Sequence, residues 1–76
     1  MNKFFFDRVS RDRSEYDYRG LEFPTLEKAR QLAELIALDL GIEDEGSWAG
    51  WTISVRSADG KQLLTIPVRA GDRIAA

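Results

Sequence analysis

Apolar and polar positions along this chain follow two periods. Trp51, Ile53 and Val55 alternate with Thr52, Ser54 and Arg56, the two-residue period of a half-buried strand, which predicts a strand over residues 51–56. A second strand is predicted over residues 62–68, with Leu64, Ile66 and Val68 on one face and Leu63 adding apolar area to the other. Between them Ser57-Ala58-Asp59-Gly60 predicts a hairpin in which Gly60 takes positive φ. Pro67 has no N–H to donate, so its strand should end there or leave an edge open to solvent. Residues 4–9 also read as a strand, but Phe4-Phe5-Phe6 breaks the alternation. Its second face is expected to be covered by neighbouring side chains of a central strand, or else by another subunit. A polar tip from Ser10 to Glu15 then leads into a short returning strand over residues 15–18, with Gly20 placed for a turn.

The three-to-four-residue period occupies residues 26–40. A 100° step per residue puts Leu26, Ala29, Ala33, Ile36, Ala37 and Leu40 on one stripe, with Leu32 at its margin. Ala29, Ala33 and Ala37 would let the helix backbone lie close to a sheet. Pro24 holds Phe23 extended, Thr25 is the candidate N-cap, Glu27 suits the first turn, and Gly41 is the expected stop. Leu35 and Leu38 fall on the opposite side. They are either covered by a loop or tail, simply exposed, or part of a partner surface.

The resulting fold class is α+β: a ββαββ order with an antiparallel sheet packed against one helix. Its 76 residues make one domain over residues 1–68, followed by a tail at 69–76 expected to be flexible. A domain of this size has a small core, so dimerisation is a natural supplement. With no Cys and no His, disulfides, thiolate or imidazole metal sites, and Ser-His or Cys-His catalysis are excluded. No apolar run approaches a membrane span, and a cytoplasmic location is expected.

Charge is unevenly spread: residues 1–20 sum to +1, residues 21–45 to −5 and residues 46–76 to +2. Asp39, Glu43, Asp44 and Glu45 gather where the helix ends, against the preference of its dipole for cations. Their spacing is not that of an EF-hand, and a solvated acidic loop, a cation site or a surface for a basic partner are the readings. Trp48, beside that loop, serves either as a lid on the core, covering Leu35 and Leu38, or as an aromatic contact anchor. Arg8, Arg11, Arg13 and Arg19, with Tyr16 and Tyr18 able to stack on bases, are the nucleic-acid candidates, but Asp7, Asp12, Glu15 and Asp17 nearly cancel their charge. Asp7, Glu22, Tyr16 and Tyr18 are the available acid–base groups, and no spacing unites them into a catalytic set. No Gly-rich phosphate loop precedes the helix.

Phe4-Phe5-Phe6-Asp7, the stretch Gly20-Leu21-Glu22-Phe23-Pro24-Thr25-Leu26-Glu27-Lys28-Ala29-Arg30, then Trp51 to Arg56 and Asp59-Gly60-Lys61 resemble a small proteobacterial family of uncharacterised proteins. Its members carry a tyrosine- or phenylalanine-led aromatic strand ending in aspartate or histidine, then glycine-x-glutamate-leucine, an alanine-rich helix and a final hairpin. The resemblance spans about residues 3–68 and implies the fold, with no activity to carry over. This chain differs in Arg11 and Arg13 at the first hairpin tip and in the phenylalanine that leads the aromatic run. Thr25-Leu26-Glu27-Lys28-Ala29 is also similar to the helix start of small antitoxin domains, whose added DNA-binding segment is not expected after Val68.

The expected function is a small non-catalytic protein-interaction module that self-associates as a homodimer or binds a protein partner, with no cofactor, metal or membrane. Its candidate surface is Leu35, Leu38, Trp48, Asp39, Glu43, Asp44 and Glu45. The alternatives are a nucleic-acid-binding or antitoxin-like regulatory domain, nucleic acid being disfavoured by the charge, and an acidic inhibitor that mimics nucleic acid.

Overall fold

The two periods resolve into two layers in a computed structural model, which describes residues 1–43, 48 and 50–68. Strand β1 (Asn2–Val9) lies beside β4 (Thr52–Ser57), and β4 beside β5 (Gln62–Pro67), all antiparallel. The other edge of β1 carries two short strands, β2 (Ser14–Glu15) opposite its C-terminal end and β3 (Leu21–Phe23) opposite its N-terminal end. Helix α1 (Leu26–Glu43) covers one face of this sheet. The fold is α+β, one helix on an antiparallel sheet, as the sequence periods predict.

Burial follows the alanine stripe. Ala29, Ala33, Ala37 and Leu40 are buried against Phe4, Phe6, Ile53, Val55 and Val68, with Leu32 and Ile36 half-buried beside them. Leu26, placed on the stripe by the sequence, is instead exposed in the first turn. The helix starts where expected: the Lys28 amide donates to Thr25 Oγ1 at 3.2 Å, a side-chain cap on an otherwise orphaned donor. Its end differs. Gly41 does not stop α1 but continues it as a buried helical residue, and the helix runs on to Glu43. A mid-helix glycine costs about 1 kcal/mol relative to alanine, which continued packing of the Leu40–Gly41 turn can offset.

The returning strand expected over residues 15–18 is interrupted. After Glu15 the chain leaves the β1 edge, and it rejoins only at Leu21. Asp17 explains the break: its Oδ2 accepts the Phe6 amide at 3.1 Å, filling the gap in the ladder with a carboxylate, while its Oδ1 accepts the Arg19 and Gly20 amides. Gly20 then turns at φ +72°, where an added Cβ would lie 2.9 Å from the Phe5 ring and 3.1 Å from the Phe4 carbonyl oxygen.

The second hairpin forms as expected, with the Gly60 amide donating to the Ser57 carbonyl at 2.9 Å and Gly60 at φ +91°. One expectation fails on β5. Val55 pairs with Leu64 but Arg56 pairs with Gln62, so β5 holds one extra residue, and Leu63 as well as Leu64 packs against the core. The Val68 amide donates inward to the Trp51 carbonyl at 2.8 Å, so by strand alternation Pro67 turns its nitrogen to the open edge. A proline at that position blunts the edge against strand addition.

Candidate functional site

The solvent side of α1 carries three exposed aliphatic side chains. Leu35 is 58% exposed, Leu38 47% and Ile42 57%. On a 100° step these three lie within about 60° of one another and nearly opposite the alanine stripe. Continuation of the helix past Gly41 is what brings Ile42 to them. Extending the helical period one further turn, through the glycine, would have revealed it in the sequence.

Two rows of charge flank this apolar stripe. Glu34 is one turn from Leu38, and Asp39 is one turn from both Leu35 and Ile42, so they border it on opposite sides. Arg30 Nε donates to Glu27 Oε1 at 3.0 Å, and its guanidinium also binds Glu34. Hydrogen bonding from Arg30 holds the Glu27 carboxyl below the usual range, and the same partner raises Arg30. The last turn of α1 has no basic residue, so the negative end of the helix dipole is left without a compensating cation on its own helix.

The other sequence candidates are dispersed. Trp48 packs edge-to-face on Trp51 at 4.9 Å between ring centres and lies under the Arg8 guanidinium at 5.4 Å. It packs against the core, and Leu35 and Leu38 stay exposed. Asp39 is exposed beside the stripe, Glu43 forms the last position of α1, and Asp44 and Glu45 lie outside the described residues, as does the tail at 69–76.

The polar candidates are tied into the fold. Asp7 is 3% exposed and forms a bidentate pair with Arg56, Nε to Oδ2 at 2.9 Å and Nη2 to Oδ1 at 3.1 Å. Arg56 Nη2 also donates to the Asp17 carbonyl at 3.2 Å, and Asp7 Oδ1 accepts the Asp17 amide at 2.9 Å. Asp7 holds Arg56 above its ordinary value by hydrogen bonding. Burial pushes the Asp17 carboxyl up, but the Phe6, Arg19 and Gly20 amides and the Arg56 charge outweigh it and leave it below the usual carboxylate value. The guanidinium of Arg56 stands 4.7 Å over the Phe5 ring, so the second face of the phenylalanine strand is covered from within the sheet. The hub formed by Asp7, Arg56 and Asp17 joins elements far apart in sequence, and alternation alone gave no sign of it.

Among the arginines of the first hairpin, Arg13 pairs with Glu15 at 3.5 Å and lies 5.9 Å over Trp51, while Arg8 stacks on Trp48. Glu22 sits on exposed β3, and Tyr16 and Tyr18 are 55% and 86% exposed. A cleft of about 320 Å³ opens between α1 and the interrupted edge, walled by Phe6, Leu21, Leu32 and Ile36 with Arg8 and Tyr16. Among the described residues no group of three acidic side chains is placed to hold a metal ion, and no helix is long and apolar enough to cross a membrane.

The family model of a domain of unknown function, DUF6894, matches residues 3–69, and the chain belongs to that family. No curated protein and no solved structure matches it.

Proposed function

We propose that this member of a family of unknown function is a non-catalytic, cytoplasmic protein-interaction module of bacterial origin. It meets a protein partner, or a second copy of itself, through the outer face of α1. The bacterial assignment rests on the aromatic strand and helix-start motifs, whose resemblance is to a proteobacterial family. The supporting observation for the contact surface is Leu35, Leu38 and Ile42, three aliphatic side chains held on the solvent side by a helix whose other side is already packed.

Exposed apolar residues scattered singly need no explanation, but three on adjacent turns form one contiguous patch. Strand addition is the competing way for such a sheet to associate. Pro67 works against it on one edge, and β2, Asp17 and β3 occupy the other. Removing the exposed halves of three aliphatic side chains from water contributes about 2–4 kcal/mol. Association itself costs at least about 4 kcal/mol, so the stripe needs added contacts from its flanks.

Affinity capture with the intact chain and with the Leu35→Ser/Leu38→Ser double variant as baits tests this reading. A partner held by the first and lost from the second, at unchanged circular dichroism, is expected. Equal capture by both baits would remove the outer face of α1 as the contact surface.

A further inference from the structure

We infer that the occupant of the α1 outer face is an amphipathic basic helix from another protein, with apolar residues on one side flanked by Lys or Arg. This rests on the reading of that face as an interaction surface and adds the chemistry of what it meets.

Charge around a fixed apolar strip selects the occupant. Glu34 borders Leu38, Asp39 borders Leu35 and Ile42, and no cation occupies the last turn. Arg30, on the flank toward Glu27 and Glu34, is held by both of them. A second copy would apply the same acidic borders to the strip. In a parallel pairing opposite flanks meet, and Glu34 faces Asp39 of the other copy. In the antiparallel pairing that sets Leu35 against Ile42, like flanks meet and Asp39 approaches Asp39 of the other copy. Like charges across such a seam oppose pairing, and they are a recognised means of rejecting the wrong partner. A basic amphipathic helix reverses each of these contacts. Its side chains at i, i+3 and i+7 lie against Leu35, Leu38 and Ile42, and its cations meet Glu34, Asp39 and the negative end of the α1 dipole.

The test uses three synthetic 18-residue peptides followed by fluorescence anisotropy against the intact chain: a leucine-faced helix with lysine flanks, the same composition scrambled so that no apolar face forms, and the leucine-faced helix with glutamate flanks. Sedimentation of the chain alone runs in parallel. The lysine-flanked helix is expected to bind at least tenfold more tightly than either control, with the chain monomeric. Leu38→Ser should weaken that binding tenfold or more, and the pair Glu34→Gln/Asp39→Asn should both weaken it and flatten its salt dependence. Circular dichroism confirms that each variant is folded. A dimer abolished by Leu38→Ser would overturn the basic-partner inference in favour of self-association while leaving the interaction face in place. Equal binding of the scrambled peptide, or binding indifferent to Leu38→Ser, would overturn the inference outright. If neither dimerisation nor peptide binding responds to the outer-face substitutions, the interaction face falls with it.

Discussion

Asp17→Ala is the substitution that most severely tests how the sheet edge is built. The carboxylate takes the Phe6 amide at 3.1 Å in the gap between β2 and β3, and the Arg19 and Gly20 amides at 2.9 and 3.1 Å. The Arg19 amide is exposed, so water can replace its lost acceptor at little cost. The Phe6 amide is flanked by strands on both sides. Leaving such a donor unpaired costs about 1–3 kcal/mol, and loss of a charge-assisted bond adds to it, for a total of roughly 2–4 kcal/mol. A domain of this length is stable by roughly 4–11 kcal/mol, so the substitution removes a large share of it. Urea unfolding followed by tryptophan fluorescence gives the difference at equilibrium, and hydrogen exchange of the Phe6 amide locates it. Asp17→Asn should fall between the two, because it keeps one acceptor oxygen but offers an amide nitrogen to a second site. A loss below about 0.5 kcal/mol for Asp17→Ala, with Phe6 exchange unchanged, would refute the role of this carboxylate as a substitute for strand pairing.

Three further outcomes follow from the same contacts. Arg56→Ala leaves Asp7 buried and without its guanidinium, and urea unfolding should show a loss of about 2–3 kcal/mol, below the full value for a buried pair because Arg56 is itself partly exposed. Ala33→Leu, at a fully buried position between α1 and the sheet, should cost about 1–3 kcal/mol by forcing the layers apart, and a urea midpoint equal to the parent would contradict close helix–sheet contact. The Asp17 carboxyl is lower in the folded than in the unfolded chain, so its stabilisation is complete above the usual Asp value near 4 and is lost as pH falls through the folded value. Urea midpoints from pH 6 to pH 2 should therefore converge between the parent and Asp17→Asn at the acid end, and a constant gap would count against the shift.

Residues with one job were legible from the sequence alone, and residues with two were not. Ala29, Ala33 and Ala37 recur every four positions because small side chains admit a close sheet, and Thr25 and Gly60 each meet a single local requirement of a cap and a turn. Gly41 and Ile42 were misplaced because a glycine near the end of a periodic stretch ordinarily marks a stop, whereas here it is buried in a continuing turn. That single misplacement hid the third member of the outer stripe while leaving Leu35 and Leu38 visible. Asp17 and Leu63 were misread for a related reason. A carboxylate that replaces a backbone partner and a bulge that brings two consecutive leucines to the core are properties of paired strands, and neither is written in the period of one segment. Trp48 packs against the core, and its ring is held by Trp51 and Arg8, a pairing across elements that the order of residues in the chain does not display.

Binding of another protein at the outer face of α1 is open to direct observation. Methyl-labelled chain observed by NMR during titration with the lysine-flanked amphipathic peptide answers this most directly. The prediction is that the methyl signals of Leu35, Leu38 and Ile42 shift together and saturate while those of buried Ile53 and Val55 stay in place. Shifts centred on the sheet face around Phe5 and Arg56, or on the cleft beside Leu21, with the three outer methyls unmoved, would contradict it.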